Sequence, residues 1–269
     1  MLYGLLAWQV AVDGPVRELD ERTGPALSRH APPGAELLAD LGGVWVALPV
    51  LAAAMLYAVW RTPVRAGVSA PPGGAARPGS AAVPVRRVPD GRRRVRNRLR
   101  RAPARLPDRL RDRLPARLLG RLPAAVRVPL LAGAAAFAVL PAVVLPLKSV
   151  QARPGPRGPL ADDYAGFFPS GHSTTAAVAY GAVVLLLLPL LRSRAARRLL
   201  VAAAGLVVLG VGAGLVWREY HWPLDVAAGW CVAGVLLTGC RYGAARLSSY
   251  ATGRVTPHRP DHPPRPRRP

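Results

Sequence analysis

The chain has 269 residues, 51% of them hydrophobic, yet 37 are Lys or Arg against 14 Asp or Glu, for a formal net charge of +23. Apolar and basic residues occupy separate stretches, which argues for membrane helices joined by basic loops. It argues against a nucleic-acid partner, whose reader would interleave arginine with aromatic and polar side chains.

Met1 to Val12 is apolar. Twelve residues make a helix of about 18 Å, short of a ~30 Å hydrocarbon core. With no basic n-region and no small-residue cleavage site after it, it reads as a short first span whose start lies upstream, not as a signal peptide. Residues 13–40 are polar and slightly acidic, and 41–60 form an apolar run ending at Trp60-Arg61. Residues 61–127 hold 19 Arg against three Asp, with many Pro and Gly. Their first part reads as a disordered linker. Their second part repeats Arg105-Leu106-Pro107, Arg113-Leu114-Pro115 and Arg121-Leu122-Pro123, a pattern suited to short amphipathic turns on anionic lipid headgroups.

Four further apolar runs follow, at about 128–147, 174–191, 199–216 and 224–240. Cys231 and Cys240, the only cysteines, share the last of them. They stand about 13 Å apart on a helix, too far for a disulfide. No Cys/His cluster has metal-ligand spacing. The tail from Arg241 is basic, Pro-rich and expected to be disordered. The predicted fold is an all-α integral membrane bundle of six spans. Its divisions are 1–60 (two spans and an acidic loop), 61–127 (basic loop), 128–241 (four-helix core) and 242–269 (tail). With a cytoplasmic N-terminus, the inside segments 61–127, 192–198 and 241–269 are all strongly basic, and 13–40, 148–173 and 217–223 lie outside.

Two polar motifs fall on that outer face. Pro169-Ser170-Gly171-His172 leads into an apolar run, so it marks a helix N-terminus, where free N–H groups and the dipole favour an anion. Ser170 offers a cap and a hydroxyl, and Gly171 allows close backbone approach. His221 and Asp225 are four residues apart. With Pro223 at the first helical position they bracket a helix start, and the carboxylate can fix the imidazole tautomer and raise its basicity. Lys148, the only lysine among the 37 basic residues, ends the preceding run on the same face. Ionisable groups at a bilayer edge are costly and point to function.

These residues resemble the type 2 phosphatidic acid phosphatase superfamily, which includes lipid phosphate phosphatases, prenyl-pyrophosphate phosphatases and vanadium haloperoxidases. The family pattern is Lys, six residues, Arg-Pro; then Pro-Ser-Gly-His; then Ser-Arg, five residues, His, three residues, Asp. Lys148, Pro169 to His172, His221 and Asp225 match over roughly 128–240. Two arginines do not. The first would fall at Gly155, with Arg153-Pro154 two residues early and Arg157 two late; the Ser-Arg pair would fall at Gly214-Leu215, with Arg218 three residues later than that arginine position.

The resemblance implies a membrane phosphatase for a polyprenyl pyrophosphate, phosphatidic acid or similar lipid, working at the extracytoplasmic face of the plasma membrane. It implies that His221 attacks phosphorus, Asp225 orients it and His172 protonates the leaving oxygen. Lys148, Ser170, Gly171, Arg153, Arg157 and Arg218 are the expected phosphate ligands. No metal or other cofactor is expected. The displaced arginines leave a second reading, a family member that binds lipid phosphate without turnover. A haloperoxidase is disfavoured because those enzymes are soluble, and a transporter because the runs are polar only at their ends.

Overall fold

The computed structural model describes residues 1–62, 122–158 and 166–251. The described helices run α1 (Leu2–Ala11), α2 (Pro15–Ser28), α3 (Ala35–Asp40), α4 (Val44–Arg61), α5 (Ala124–Gln151), α6 (Gly171–Leu187), α7 (Arg194–Trp217) and α8 (Pro223–Ala251). A short 3-10 turn, Leu188–Leu190, extends α6. No strand occurs among the described residues, so the all-α expectation holds there. The first two Arg-Leu-Pro repeats, Arg121 of the third and most of the basic loop, 63–121, lie outside the described residues, as does the tail from 252.

Among the described residues, five helices are long and apolar enough to cross a membrane: α4, α5, α6 with its 3-10 turn, α7 and α8. The expected sixth span is not among them. Helix α1 has 10 residues, about 15 Å, and ends at Ala11, with Asp13 in the left-handed region (φ 50°) before α2 begins. Residues 241–251, expected to belong to a disordered tail, are helical instead: α8 continues through Arg241 and Arg246 to Ala251. Falling hydropathy does not end a helix, because Ala and Arg are good helix formers. In the same way α7 starts inside the basic segment at Arg194, where the Ser193 hydroxyl accepts from Ala196 N at 3.4 Å.

Helix α6 is the central element, with 56% of its span buried against 22–39% for the other four. It packs on α4, α5, α7 and α8. Ala and Val carry much of that packing: Ala136 of α5, Val178 of α6 and Ala233 of α8 share one cluster, and Ala47 of α4 meets Ala179 and Ala182 of α6 in another. In lipid, small residues let backbones approach and gain dispersion energy where no hydrophobic driving force acts. The short α3 lies on the C-terminal part of α7. A Cβ at Gly214 would stand 2.7 Å from Ala35 O and Ala39 N, so only glycine allows that contact. Helices α2 and α3 thereby close over one end of the bundle, the end at which α6 and α8 begin.

A transmembrane α7 places its two ends on opposite sides of the bilayer. With Cys231 and Cys240 replaced by Ala, single cysteines at Ser193 and Leu37, both exposed, are expected to react with an impermeant maleimide from opposite faces of sealed vesicles. Labelling of both from one side contradicts a crossing α7.

Candidate active site

The site assembles where the α6 and α8 N-termini meet. Ser170 caps α6, its hydroxyl accepting from Ser173 N at 3.3 Å. This places Gly171 and His172 in the first turn, as the Pro-Ser-Gly-His spacing predicts. Helix α8 opens with Pro223, so Asp225 sits in its first turn and His221 just outside it. The Asp225 carboxylate folds back on that turn: Oδ2 accepts from Trp222 N at 3.1 Å and faces His221 Nδ1 at 3.4 Å. An N-terminal carboxylate is favoured there by both the free N–H groups and the helix dipole.

Backbone contacts fuse the two motifs. Ser170 N donates to Asp225 O at 2.9 Å, and Ser173 Oγ donates to Val226 O at 3.2 Å. This approach needs Gly229, one turn beyond Asp225: a Cβ there would stand 2.0 Å from Ser173 Oγ and 2.8 Å from Ser170 O.

His172 and His221 line the same two cavities. One, of about 380 Å³, is edged by Asp40, Arg157, Glu219 and Tyr220, with Ala39, Phe167 and Leu215 as apolar wall. The other, of about 490 Å³, runs down between α4 and α5 past Val44, Leu140, Pro141, Val144 and Leu145, with Lys148 and Gly171 beside the histidines. Leu145 and Val44 are 58% and 45% exposed, so the wall of this cavity reaches the lipid-facing surface. Lys148 closes the last turn of α5, is buried, and donates to Gly166 O at 3.1 Å.

The expected phosphate ligands divide into those at the cavities and those behind them. Lys148, Gly171 and Arg157 line the cavities. Ser170 is fully buried with its hydroxyl engaged as the cap. Arg218 pairs with Glu36 at 2.5 Å outside both linings. Arg153 lies behind Asp225: its side chain is 0% exposed, Nη1 donates to Asp225 Oδ1 at 2.8 Å, and Nη2 reaches Asp20 Oδ2 at 3.0 Å and Glu21 Oε1 at 3.1 Å. The chain gets there because α5 ends on Ala152 in the left-handed region, φ 43°, which turns Arg153 back into the protein. At the two family arginine positions, Gly155 lies against the Phe167 ring and Leu215 lines the smaller cavity.

Asp20, from α2, is the functional candidate that the motifs do not include. It is buried, and its Oδ1 accepts from Leu224 N at 2.9 Å. A helix-spaced acidic residue in a polar loop carries no sequence signal for a partner more than a hundred residues away. Burial pushes the Asp20 carboxyl up to about 6, against the pull of Arg153. Burial also works to lower Arg153, but Asp225, Asp20 and Glu21 outweigh it and hold the guanidinium above its ordinary value. His221 is pushed below the usual histidine value, first by burial and also by Lys148, with Asp225 opposing. Its imidazole is therefore neutral, with a lone pair, near pH 7. Among the described residues no group of three or more His, Cys, Asp or Glu side chains is placed to hold a metal ion.

Compared with known families, residues 129–248 match the model of the PAP2 superfamily. The match takes in Lys148, both histidines and Asp225, and begins after α1 to α4. No curated protein and no solved structure matches the chain.

Gly229→Val is expected to force α6 and α8 apart at the site. Overpacking of this kind costs about 1–3 kcal/mol, read as a lowered Tm of the detergent-solubilised protein. An unchanged Tm contradicts the close contact.

Proposed function

Because residues 129–248 belong to the PAP2 superfamily, whose members generally hydrolyse phosphate esters, we propose that this multi-pass membrane protein is a phosphatase of lipid phosphates. The single observation behind the lipid is the sharing of His172 and His221 between two unlike cavities. One has a polar rim, and the other is walled by Leu, Val and Pro along α4 and α5. An amphiphile with a phosphate head and an apolar tail, such as a polyprenyl pyrophosphate or phosphatidic acid, suits that junction. Its tail stays in the apolar cavity while phosphorus lies between the histidines. The basic segments 61–127, 192–198 and 241–269 support placing the opposite end, with the site, outside the cytoplasm of the plasma membrane.

The reaction runs in two steps. The Nε2 lone pair of His221 forms an N–P bond as the P–O bond to the leaving group breaks, and His172 gives that oxygen a proton. Water then attacks phosphorus, the N–P bond breaks, and His172 takes the proton from water. Asp225 accepts from His221 Nδ1–H throughout, which holds the tautomer that exposes Nε2 and stabilises positive charge on the ring. Lys148, the Gly171 N–H and the α6 dipole neutralise the equatorial oxygens, with Arg157 at the mouth. The carboxylates, histidines and lysine suffice for this sequence without a metal.

A second reading rests on a specific observation. Leu215 and Gly155 stand where the family places arginines, and Arg153 faces three carboxylates. A site with so few cations at phosphorus suits binding without turnover.

His221→Ala is expected to abolish phosphate release from phosphatidic acid and from a polyprenyl pyrophosphate, with the fold retained by circular dichroism. Most activity surviving sinks the proposal, and no release by the wild-type protein favours the binder. The pH profile follows from His221. Its attacking form is neutral, so activity is lost as pH falls through the folded pKa. That pKa lies below the ordinary ~6.5, so the acid limb of the kcat/KM profile is expected to be centred below ~6.5, while loss of the His172 proton sets a separate alkaline limb. An acid limb centred above ~6.5 contradicts the assignment.

A further inference from the structure

Helix α2 lies outside the segment that matches the family, yet it delivers a carboxylate to the back of the site. Four groups stand in a row there, all but sealed from solvent. The side-chain exposures are 3% for Asp20, 0% for Arg153, 0% for Asp225 and 5% for His221. Every link is within hydrogen-bond reach: Asp20 to Arg153 at 3.0 Å, Arg153 to Asp225 at 2.8 Å, Asp225 to His221 at 3.4 Å. The second oxygen of Asp20 holds Leu224 N at 2.9 Å, the residue just before Asp225. Asp20 therefore grips both the guanidinium and the helix turn that carry Asp225.

The chemistry of the row explains why Asp20 is needed. A lone Arg153 against Asp225 would form a neutral pair and draw the carboxylate's charge away from His221. The acceptor of the His221 proton would be weakened. Asp20, with the part-exposed Glu21 at 3.1 Å, shares the guanidinium charge and leaves Asp225 its hold on the imidazole. Arg153 is further fixed by the Trp222 ring, 5.5 Å from its centroid, and Trp222 Nε1 donates to Pro154 O at 3.1 Å. A row of this kind sets both the position and the basicity of the terminal imidazole.

We propose that Asp20, acting through Arg153, is a positioning residue for the Asp225–His221 pair, so that α2 is a working part of the catalytic centre. The proposal rests on the phosphatase reading for its kinetic consequence but not for its electrostatic one. The other charged groups around His221 are Lys148 from α5, His172 from α6, Asp40 from α3, and Arg157 and Glu219 at the cavity rim. None of these changes in the variants below.

The test is Asp20→Asn, with Asp20→Glu as the conservative variant. Glu18→Gln, an exposed residue of the same helix paired with Arg22, serves as control. His221 is titrated by imidazole 15N NMR in detergent, its signal assigned by loss in His221→Gln; kcat and KM are measured on phosphatidic acid micelles. Removing the carboxylate leaves the row more positive. Asp20→Asn is therefore expected to move the His221 titration to lower pH and to cut kcat roughly tenfold or more with KM little changed. Asp20→Glu is expected between Asn and wild type, and Glu18→Gln at wild type. A folded Asp20→Asn with wild-type titration and kcat overturns the proposal. If Asp20→Asn does not fold, Asp20→Glu decides it: a titration equal to wild type overturns the role, and one displaced to lower pH supports it. Absence of turnover in the wild-type protein sinks the phosphatase reading alone, because the titration needs none.

Discussion

The buried carboxylate of Asp225 is the point on which the site depends. Its two oxygens have divided duties. Oδ1 is held by Arg153, and Oδ2 is shared between the Trp222 N–H and His221. A carboxylate with no exposure survives as an anion only if its neighbours neutralise it, and leaving such a charge unpaired costs about 3–5 kcal/mol. The guanidinium behind it has the same problem and solves it with Asp20 and Glu21. Each ion is therefore present because the next one is. The outcome is that three elements far apart in the chain, α2, the turn after α5 and the start of α8, are locked at one end of the bundle.

The scaffold around this row is built for close approach. Gly229 lets the first turns of α6 and α8 touch, and Gly214 lets α3 lie on α7. The first contact brings the two histidines to a common pair of cavities, and the second adds Ala39 and Asp40 to the wall of one of them. In the proposed reaction the neutral His221 attacks phosphorus, and the α6 N-terminus and the buried Lys148 bear its charge. On the same proposal, the apolar cavity along α4 and α5 takes the lipid tail.

Much of this was legible in the sequence because it is local. Apolar runs marked the five described helices that are long and apolar enough to cross a membrane. Pro-Ser-Gly-His and His-Trp-Pro-Leu-Asp each encode a helix start within a few residues, and the lone lysine stood out against the arginines. Helix ends were less legible, since hydropathy falls at Arg194 and Arg241 while the helices do not stop there. The arginines were legible as residues but not as roles. The left-handed turn at Ala152 and the acidic partners on α2 decide that Arg153 faces Asp225, and neither is visible in a motif. Asp20 was hidden most completely, since 133 residues separate it from Arg153.

Trapping the covalent intermediate tests the central claim most directly. The wild-type protein is mixed with 32P-labelled phosphatidic acid, quenched in alkali within the first turnovers and mapped by peptide mass spectrometry. The account predicts an acid-labile, alkali-stable phosphoryl group on His221. Phosphate release by the wild-type protein with no such adduct, or with the label on another residue, contradicts it.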